Sequence, residues 1–150
     1  MAKTILGIVV GYIVMAVFVF ASFSVAFIVM GADRAYKPGV FDVTTMWIVV
    51  SLVLGFVAAM IGGFVCAAIA KRAKAAVILA VVVIVLGLGM AIPAMMAGDD
   101  SVPAVRAGDI GTMEAAQKAK QPTWVTLVNP FLGAVGVLIG GRRKSDQAAE

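Results

Sequence analysis

Few side chains in this sequence of 150 residues have the chemistry needed for catalysis or for binding a metal ion. It contains no histidine, and Cys66 is its single cysteine, so the chain has neither an imidazole base nor a disulfide relay of its own. The carboxylates lie outside the apolar segments, and none stands beside an evident nucleophile. We therefore expect a protein that is not an enzyme, with no catalytic residues, no cofactor and no metal site.

Two groups of residues match metal ligands in type only. Met90, Met95 and Met96 are close in sequence, but no cysteine or histidine accompanies them, so we interpret them as core filling and lipid contact. The acidic residues between the third and fourth apolar segments alternate with basic ones. We expect those carboxylates to be solvated rather than to bind a cation.

The most unusual polar side chain is Asn129, which precedes Pro130 inside the last apolar segment. Proline has no N–H, so the carbonyl of Thr126 loses its usual partner and the helix should kink there. The amide could bond across the bundle to one of these groups: Ser22, Ser24, Ser51 or the freed carbonyl. We favour a structural clamp at the kink, and a hinge or a contact to a polar ligand is the alternative.

The composition decides the class of protein. Hydrophobic residue types make up 63% of the chain and charged types 13%, whereas soluble domains average about 45–50% and about 25%. A chain this short cannot bury so much apolar surface in water, so a soluble monomer is excluded. Four segments contain no charged residue and are close to, or longer than, the roughly 20 residues that cross a bilayer as a helix: 5–30, 46–70, 75–96 and 123–141.

Backbone within a bilayer must satisfy its own hydrogen bonds, which favours helices over lone strands. We therefore predict an all-α membrane protein, an antiparallel bundle of four transmembrane helices that forms a single integral membrane domain over residues 1–150. The remaining ranges are two outer loops, a cytoplasmic turn and a cytoplasmic tail: 31–45, 97–122, 71–74 and 142–150. Pro38-Gly39 predicts a type II turn in the first loop, and Thr112 can begin a short helix in the second, which we expect to end at Lys120.

Basic residues concentrate on one predicted face of the membrane: Lys3, Lys71, Arg72, Lys74, Arg142, Arg143 and Lys144. With two opposing acidic residues this face carries +5, and the other face carries −1, which together give the net charge of +4. The positive-inside rule then predicts that both termini are cytoplasmic (N-in/C-in). Trp47 and Trp124 begin their helices at the opposite face, where an aromatic belt would place them.

The same charges indicate which binding partners to expect. We interpret the basic balance as retention of cytoplasmic loops and attraction to anionic headgroups, and we expect no nucleic-acid binding. The cluster Arg142, Arg143 and Lys144 is the candidate contact to anionic lipid. The expected partners are the lipid bilayer and another membrane protein or a second copy of this chain. Small size and short connections favour the bacterial inner membrane.

Small residues recur at helical spacing in each segment. We predict that a set of glycines forms close helix contacts: Gly7, Gly11, Gly55, Gly62, Gly133, Gly136 and Gly140. Val137 lies off the stripe of the last segment and should face away from it. The alternative is that some of these glycines make room for a substrate or a lipid tail.

By elimination, we expect a non-catalytic accessory, assembly or structural component of the membrane. The alternative is a passive channel or small transporter for a neutral or lipophilic solute. Ion-coupled carriers need an ionisable group within the membrane, and none of the four segments contains an acidic or basic residue.

Overall fold

The computed structural model describes residues 2–71, 73–96 and 111–147. This part of the chain is helical and has no strand, only two isolated bridges. Its helices are α1 (Ala2–Met30), α2 (Ala32–Ala35), α3 (Thr45–Ala70), α4 (Ala73–Met96), α5 (Thr112–Lys118) and α6 (Thr123–Gln147). Four of them, α1, α3, α4 and α6, are long and apolar enough to cross a membrane. The prediction of an all-helical chain with four helices of membrane-spanning length and apolarity is confirmed for the described residues.

The helix boundaries differ from the predicted ones at several points. α1, α3 and α4 begin one to three residues before the predicted starts, at Ala2, Thr45 and Ala73. α6 continues to Gln147, because the basic residues after Gly141 are good helix formers. The predicted loop 31–45 contains the short α2, and α5 ends at Lys118 rather than Lys120. Of the predicted loop 97–122, residues 97–110 lie outside the described residues.

Local chemistry explains how α3 begins and ends. The Thr44 hydroxyl accepts a hydrogen bond from the Trp47 N–H at 3.2 Å and donates one to the Arg34 carbonyl at 2.6 Å. This cap satisfies one of the free N–H groups at the start of the helix and ties it to the preceding loop. At the other end Lys71 adopts a left-handed conformation with φ 53°, and its N–H bonds the Ala67 carbonyl. The chain can therefore turn at once into α4.

The long helices are not arranged round the bundle in sequence order. α3 packs extensively against α1 on one side and α6 on the other, while α4 packs mainly against α6 and less against α3 and α1. Gly55 faces Asn129 and Gly63 faces Val137, so α3 and α6 run in the same direction. Consecutive long helices are antiparallel, so α3 and α6, the second and fourth of them, are parallel to each other, and these two pack extensively together.

Glycines allow the backbones of α1 and α3 to touch. A Cβ atom added at Gly7 would lie 2.8 Å from the Cys66 carbonyl oxygen, and one added at Gly11 would lie 2.8 Å from the Gly62 carbonyl oxygen. Real Cβ atoms essentially never come this close to a heavy atom. Any larger residue at Gly7 or Gly11 would push the two helices apart.

The contact between α3 and α6 is equally close. A Cβ atom added at Gly136 would lie 2.9 Å from the Cβ of Ala59, and one at Gly140 would overlap the backbone of Met60. The expectation for Val137 was wrong: its side chain is 0% exposed and its backbone contacts Gly63. Gly136, Gly140 and their neighbour Val137 therefore face α3.

The buried residues form two separate clusters. One cluster lies at the end of the bundle where the small residues of the long helices meet, and it contains Cys66, Leu79 and several alanines. The other, where α1 meets the loop, is aromatic: the Trp47 ring centroid lies 6.0 Å from those of Phe23 and Phe27. Trp47 is only 7% exposed, so its assignment to an aromatic belt was wrong, whereas Trp124 is 55% exposed.

Replacing Gly136 with leucine should lower the free energy of unfolding by about 1–3 kcal/mol, because the side chain has no space between α6 and α3. The matched change Val135→Leu lies on an exposed face of the same helix and should change it by less than about 0.5 kcal/mol. Thermal unfolding in a mild detergent measures both. Equal losses for the two variants would contradict this interface.

Candidate functional site

A cavity of about 410 Å³ lies between the four long helices, and we call it the central cavity. Each helix contributes to its wall, with Ala16 from α1, Gly55 from α3, Leu86 from α4 and Asn129 from α6. The wall is mainly apolar. Its size falls within the range of about 300–1,000 Å³ that is usual for small-molecule sites.

The cavity exists because helix separation changes along α3. A Cβ atom added at Gly62 would lie 2.9 Å from both Gly11 and Met15, so α1 is in close contact at that level. Two turns earlier, a Cβ atom at Gly55 would have only one neighbour within 4 Å, the Asn129 Oδ1 atom at 3.9 Å. The predicted role of Gly55 in close packing therefore does not match its position, and its missing side chain enlarges the cavity.

Proline closes the wall between α4 and α6. The Pro130 ring packs against Gly87, where an added Cβ atom would lie 2.6 Å from the proline Cγ. One turn further along α6, a Cβ atom at Gly133 would lie 3.2 Å from a methyl group of Val83. Pro130 and Gly133 thus both line the cavity and hold α4 against α6.

The side of the cavity between α1 and α4 is open. α1 contacts α4 less than it contacts α3, and α4 contacts α1 less than it contacts α6. Side chains of both helices that line the cavity are exposed: Tyr12 by 37%, Leu86 by 44% and Met90 by 76%. α1 and α4 are both long and apolar enough to cross a membrane, so in a bilayer that they span this opening faces the lipid. A lipophilic molecule could reach the cavity from the bilayer without crossing water.

Four described side chains with uncharged polar groups line the same cavity: Tyr12, Gln121, Thr126 and Asn129. Within the described part of the chain the Asn129 amide makes no hydrogen bond. The Ser22 hydroxyl donates to the Phe18 carbonyl at 2.7 Å, and that of Ser51 donates to the Ile48 carbonyl at 2.8 Å. Serines in apolar helices commonly bond their own preceding turn in this way. These local bonds replace the predicted clamp, and Asn129 is exposed to the cavity instead.

The other predicted residues lie elsewhere. Gly7, Gly11 and Gly62 belong to the contact between α1 and α3. Arg142 is exposed near the far end of α6, and the side chains of Arg143 and Lys144 lie outside the described residues. The predicted contact to anionic lipid stays a prediction.

Sequence reasoning missed Gln121 as a site residue. The residue before it is fixed by pairing between two loops: the Lys120 N–H donates to the Phe41 carbonyl at 2.9 Å, and the Lys120 carbonyl accepts from the Val43 N–H at 3.1 Å. This pairing directs the chain towards α6 and brings Gln121 to the cavity. No local sequence signal indicates a pairing between such distant segments.

The described lining of the central cavity offers hydrogen-bonding groups on an apolar wall. Of the described side chains that line it, none is acidic or basic, and the described ranges hold no group of three His, Cys, Asp or Glu residues that could bind a metal ion. Amide and hydroxyl groups can hydrogen-bond a ligand, and the apolar wall can cover the rest of it. Comparisons of the chain with known protein families, with curated proteins and with solved structures find no match.

Replacing Asn129 with leucine should leave thermal stability in detergent unchanged or slightly raised, because the amide loses no protein partner and its desolvation is avoided. Gly87→Ala should lower stability, because the added methyl group would collide with Pro130. Differential scanning calorimetry compares the thermal stability of both variants with that of the wild-type protein. A clear drop for Asn129→Leu would restore the clamp interpretation.

Proposed function

We propose that this protein is a non-catalytic membrane protein that holds a lipophilic molecule in its central cavity and passes it passively between the bilayer and the cavity. One observation carries the proposal: the Asn129 amide has no hydrogen-bond partner among the described residues and lies on the wall of an otherwise mainly apolar cavity. Leaving an amide unpaired in apolar surroundings is unfavourable. A ligand with a hydrogen-bonding group would satisfy it.

The character of the wall defines the ligand. Because the described part of the cavity wall carries no charged side chain, we propose that the part of the ligand inside the bundle is uncharged. An amide does not titrate near neutral pH, so Asn129 cannot couple movement of the ligand to protons. We therefore favour a passive carrier or binding protein over a coupled pump.

An accessory or assembly role, in which the chain docks another membrane protein, is the second candidate. The well-packed cap at the loop end of the bundle favours it, because Ala35, Tyr36 and Phe41 are almost fully buried there. Such a cap would give a partner an ordered surface to contact. Purification in mild detergent followed by mass spectrometry separates the candidates, since a stoichiometric partner protein supports docking and a bound lipophile supports the carrier.

We further propose that both termini face the cytoplasm and that the membrane is the bacterial inner membrane. Lys3, Lys71, Lys74 and Arg142 are exposed at the same end of the bundle, which supports this orientation. The exposed side chain of Trp124 also supports this orientation, because tryptophan is enriched at membrane–water interfaces. Trp47 does not contribute, because it is buried.

The cavity can be filled without disturbing the helix contacts. Gly55→Leu places a side chain in the central cavity, where there is space for it, and Gly89→Leu is the matched control because a Cβ atom there meets nothing within 4 Å. Dioleoylglycerol, an uncharged lipid, should form a one-to-one complex with the wild-type protein and with Gly89→Leu in native mass spectrometry. Gly55→Leu should reduce the bound fraction at least fivefold. Equal binding by all three proteins would refute the proposed site.

Orientation is measured independently by labelling with a membrane-impermeant thiol reagent in intact cells. In a Cys66→Ala background, Arg34→Cys should react and Lys74→Cys should not, because these exposed residues lie at opposite ends of the bundle. Reaction of Lys74→Cys alone would reverse the proposed orientation.

A further inference from the structure

A groove of about 710 Å³ lies at the loop end of the bundle, and we call it the aromatic groove. α1 supplies the largest part of its wall, α5 supplies Met113 and Ala116, and the start of α3 supplies Trp47. Of the described side chains that line it, none is acidic or basic. Its volume falls within the range of about 300–1,000 Å³ that is usual for small-molecule sites.

Aromatic rings give this groove its character: Phe20, Phe23, Phe27, Tyr36 and Trp47. Three of the rings hold one another in edge contacts. The ring centroids of Phe27 and Trp47 are 6.0 Å apart with an interplanar angle of 84°, and those of Phe27 and Tyr36 are 6.2 Å apart at 63°. A wall of preformed rings favours a ligand with a planar ring, because ring pairs gain more than the burial of their area.

Two hydrogen-bonding groups of the groove lack a partner among the described residues. Trp47 is only 7% exposed, and its backbone N–H bonds the Thr44 hydroxyl, but its indole N–H makes no hydrogen bond in the described part of the chain. The Ser22 hydroxyl donates to the Phe18 carbonyl at 2.7 Å, whereas the Ser24 hydroxyl makes no such bond there. Both Trp47 and Ser24 line the groove. Since an unsatisfied buried donor is unfavourable, a ligand with an acceptor oxygen would stabilise this arrangement.

The groove can be reached from lipid. Phe20 is 65% exposed, and it belongs to α1, which is long and apolar enough to cross a membrane. Tyr36 and α5 lie outside the four long helices, so the groove is at the end of the apolar part of the bundle. In a bilayer that α1 spans, a ring bound there can keep a hydrocarbon tail in the lipid.

We propose that the aromatic groove binds an uncharged lipophile whose planar ring carries carbonyl oxygens, which is the chemistry of a quinone. The Trp47 indole and the Ser24 hydroxyl donate hydrogen bonds to the ring oxygens, and the aromatic side chains contact the ring. Asn129, on which the proposed function depends, is not among the described residues that line this groove. The inference therefore goes beyond the carrier proposal and does not rest on it.

Native mass spectrometry of the delipidated protein tests the ring oxygens. Decylubiquinone, an uncharged benzoquinone with one alkyl chain, should bind about tenfold more tightly or better than decylbenzene, which has a ring and the same chain but no oxygen. Trp47→Phe keeps an aromatic ring and removes the N–H, and Ser24→Ala removes the hydroxyl. Each variant should weaken decylubiquinone binding by about fivefold or more.

The matched controls are Trp124→Phe and Ser22→Ala, because neither residue is among the described ones that line the groove. Both should bind decylubiquinone as the wild-type protein does. If Trp47→Phe lowers thermal stability as well as binding, Ser24→Ala decides the question, since it removes a single hydroxyl group.

The outcomes separate this inference from the proposed function. Equal affinity for decylubiquinone and decylbenzene, or wild-type affinity in Ser24→Ala, would overturn the site. Gly55→Leu, which fills the central cavity, should leave decylubiquinone binding unchanged. Loss of binding in Gly55→Leu together with wild-type binding in Trp47→Phe would place the quinone in the central cavity, which would overturn this inference and support the carrier proposal.

Discussion

The arrangement of the bundle depends on the two-sided contact of α3 with its neighbours. Gly62 lies against α1, and the next residue, Gly63, lies against α6. Because adjacent residues on a helix point in directions about 100° apart, the pair allows close backbone contact on two different faces. Helices this close gain dispersion contacts that lipid chains cannot match. α3 is therefore held between α1 and α6, and those two helices are kept apart from each other.

The central cavity follows from that separation. At one end of the bundle small residues fill the space between helices, and at the other end aromatic rings and the paired loops do so. Between these clusters Gly55 supplies no side chain, while Pro130 and Gly87 keep α6 against α4. At the level of Gly55, the polar side chains therefore lie beside open space rather than against a neighbouring helix. The proposed binding role would give the Asn129 amide a hydrogen-bonding partner there.

The sequence predicted the elements better than their assembly. Apolar length and the absence of charge located the four long helices, and the spacing of Gly7, Gly11 and Gly136 indicated close contacts, because these properties are local. The parallel contact of α3 with α6 and the burial of Trp47 depend on tertiary packing that no periodicity specifies. Asn129 was identified as the unusual polar residue from its position alone. The surroundings of Asn129 could not be predicted in this way, because the hydroxyl groups of Ser22 and Ser51 bond carbonyl groups of their own helices and because four separate segments form the cavity.

The most direct measurement uses the fact that Asn129 is the only asparagine in the chain. Protein labelled with ¹⁵N-asparagine gives one side-chain amide signal in solid-state NMR spectra recorded in lipid bilayers. If the amide faces a cavity that holds a lipophilic molecule, magnetisation should pass to it from lipid acyl protons in deuterated protein, and Gly55→Leu should weaken that transfer. Transfer only from a carbonyl carbon of another helix, with no lipid contact, would show a structural clamp and contradict the account.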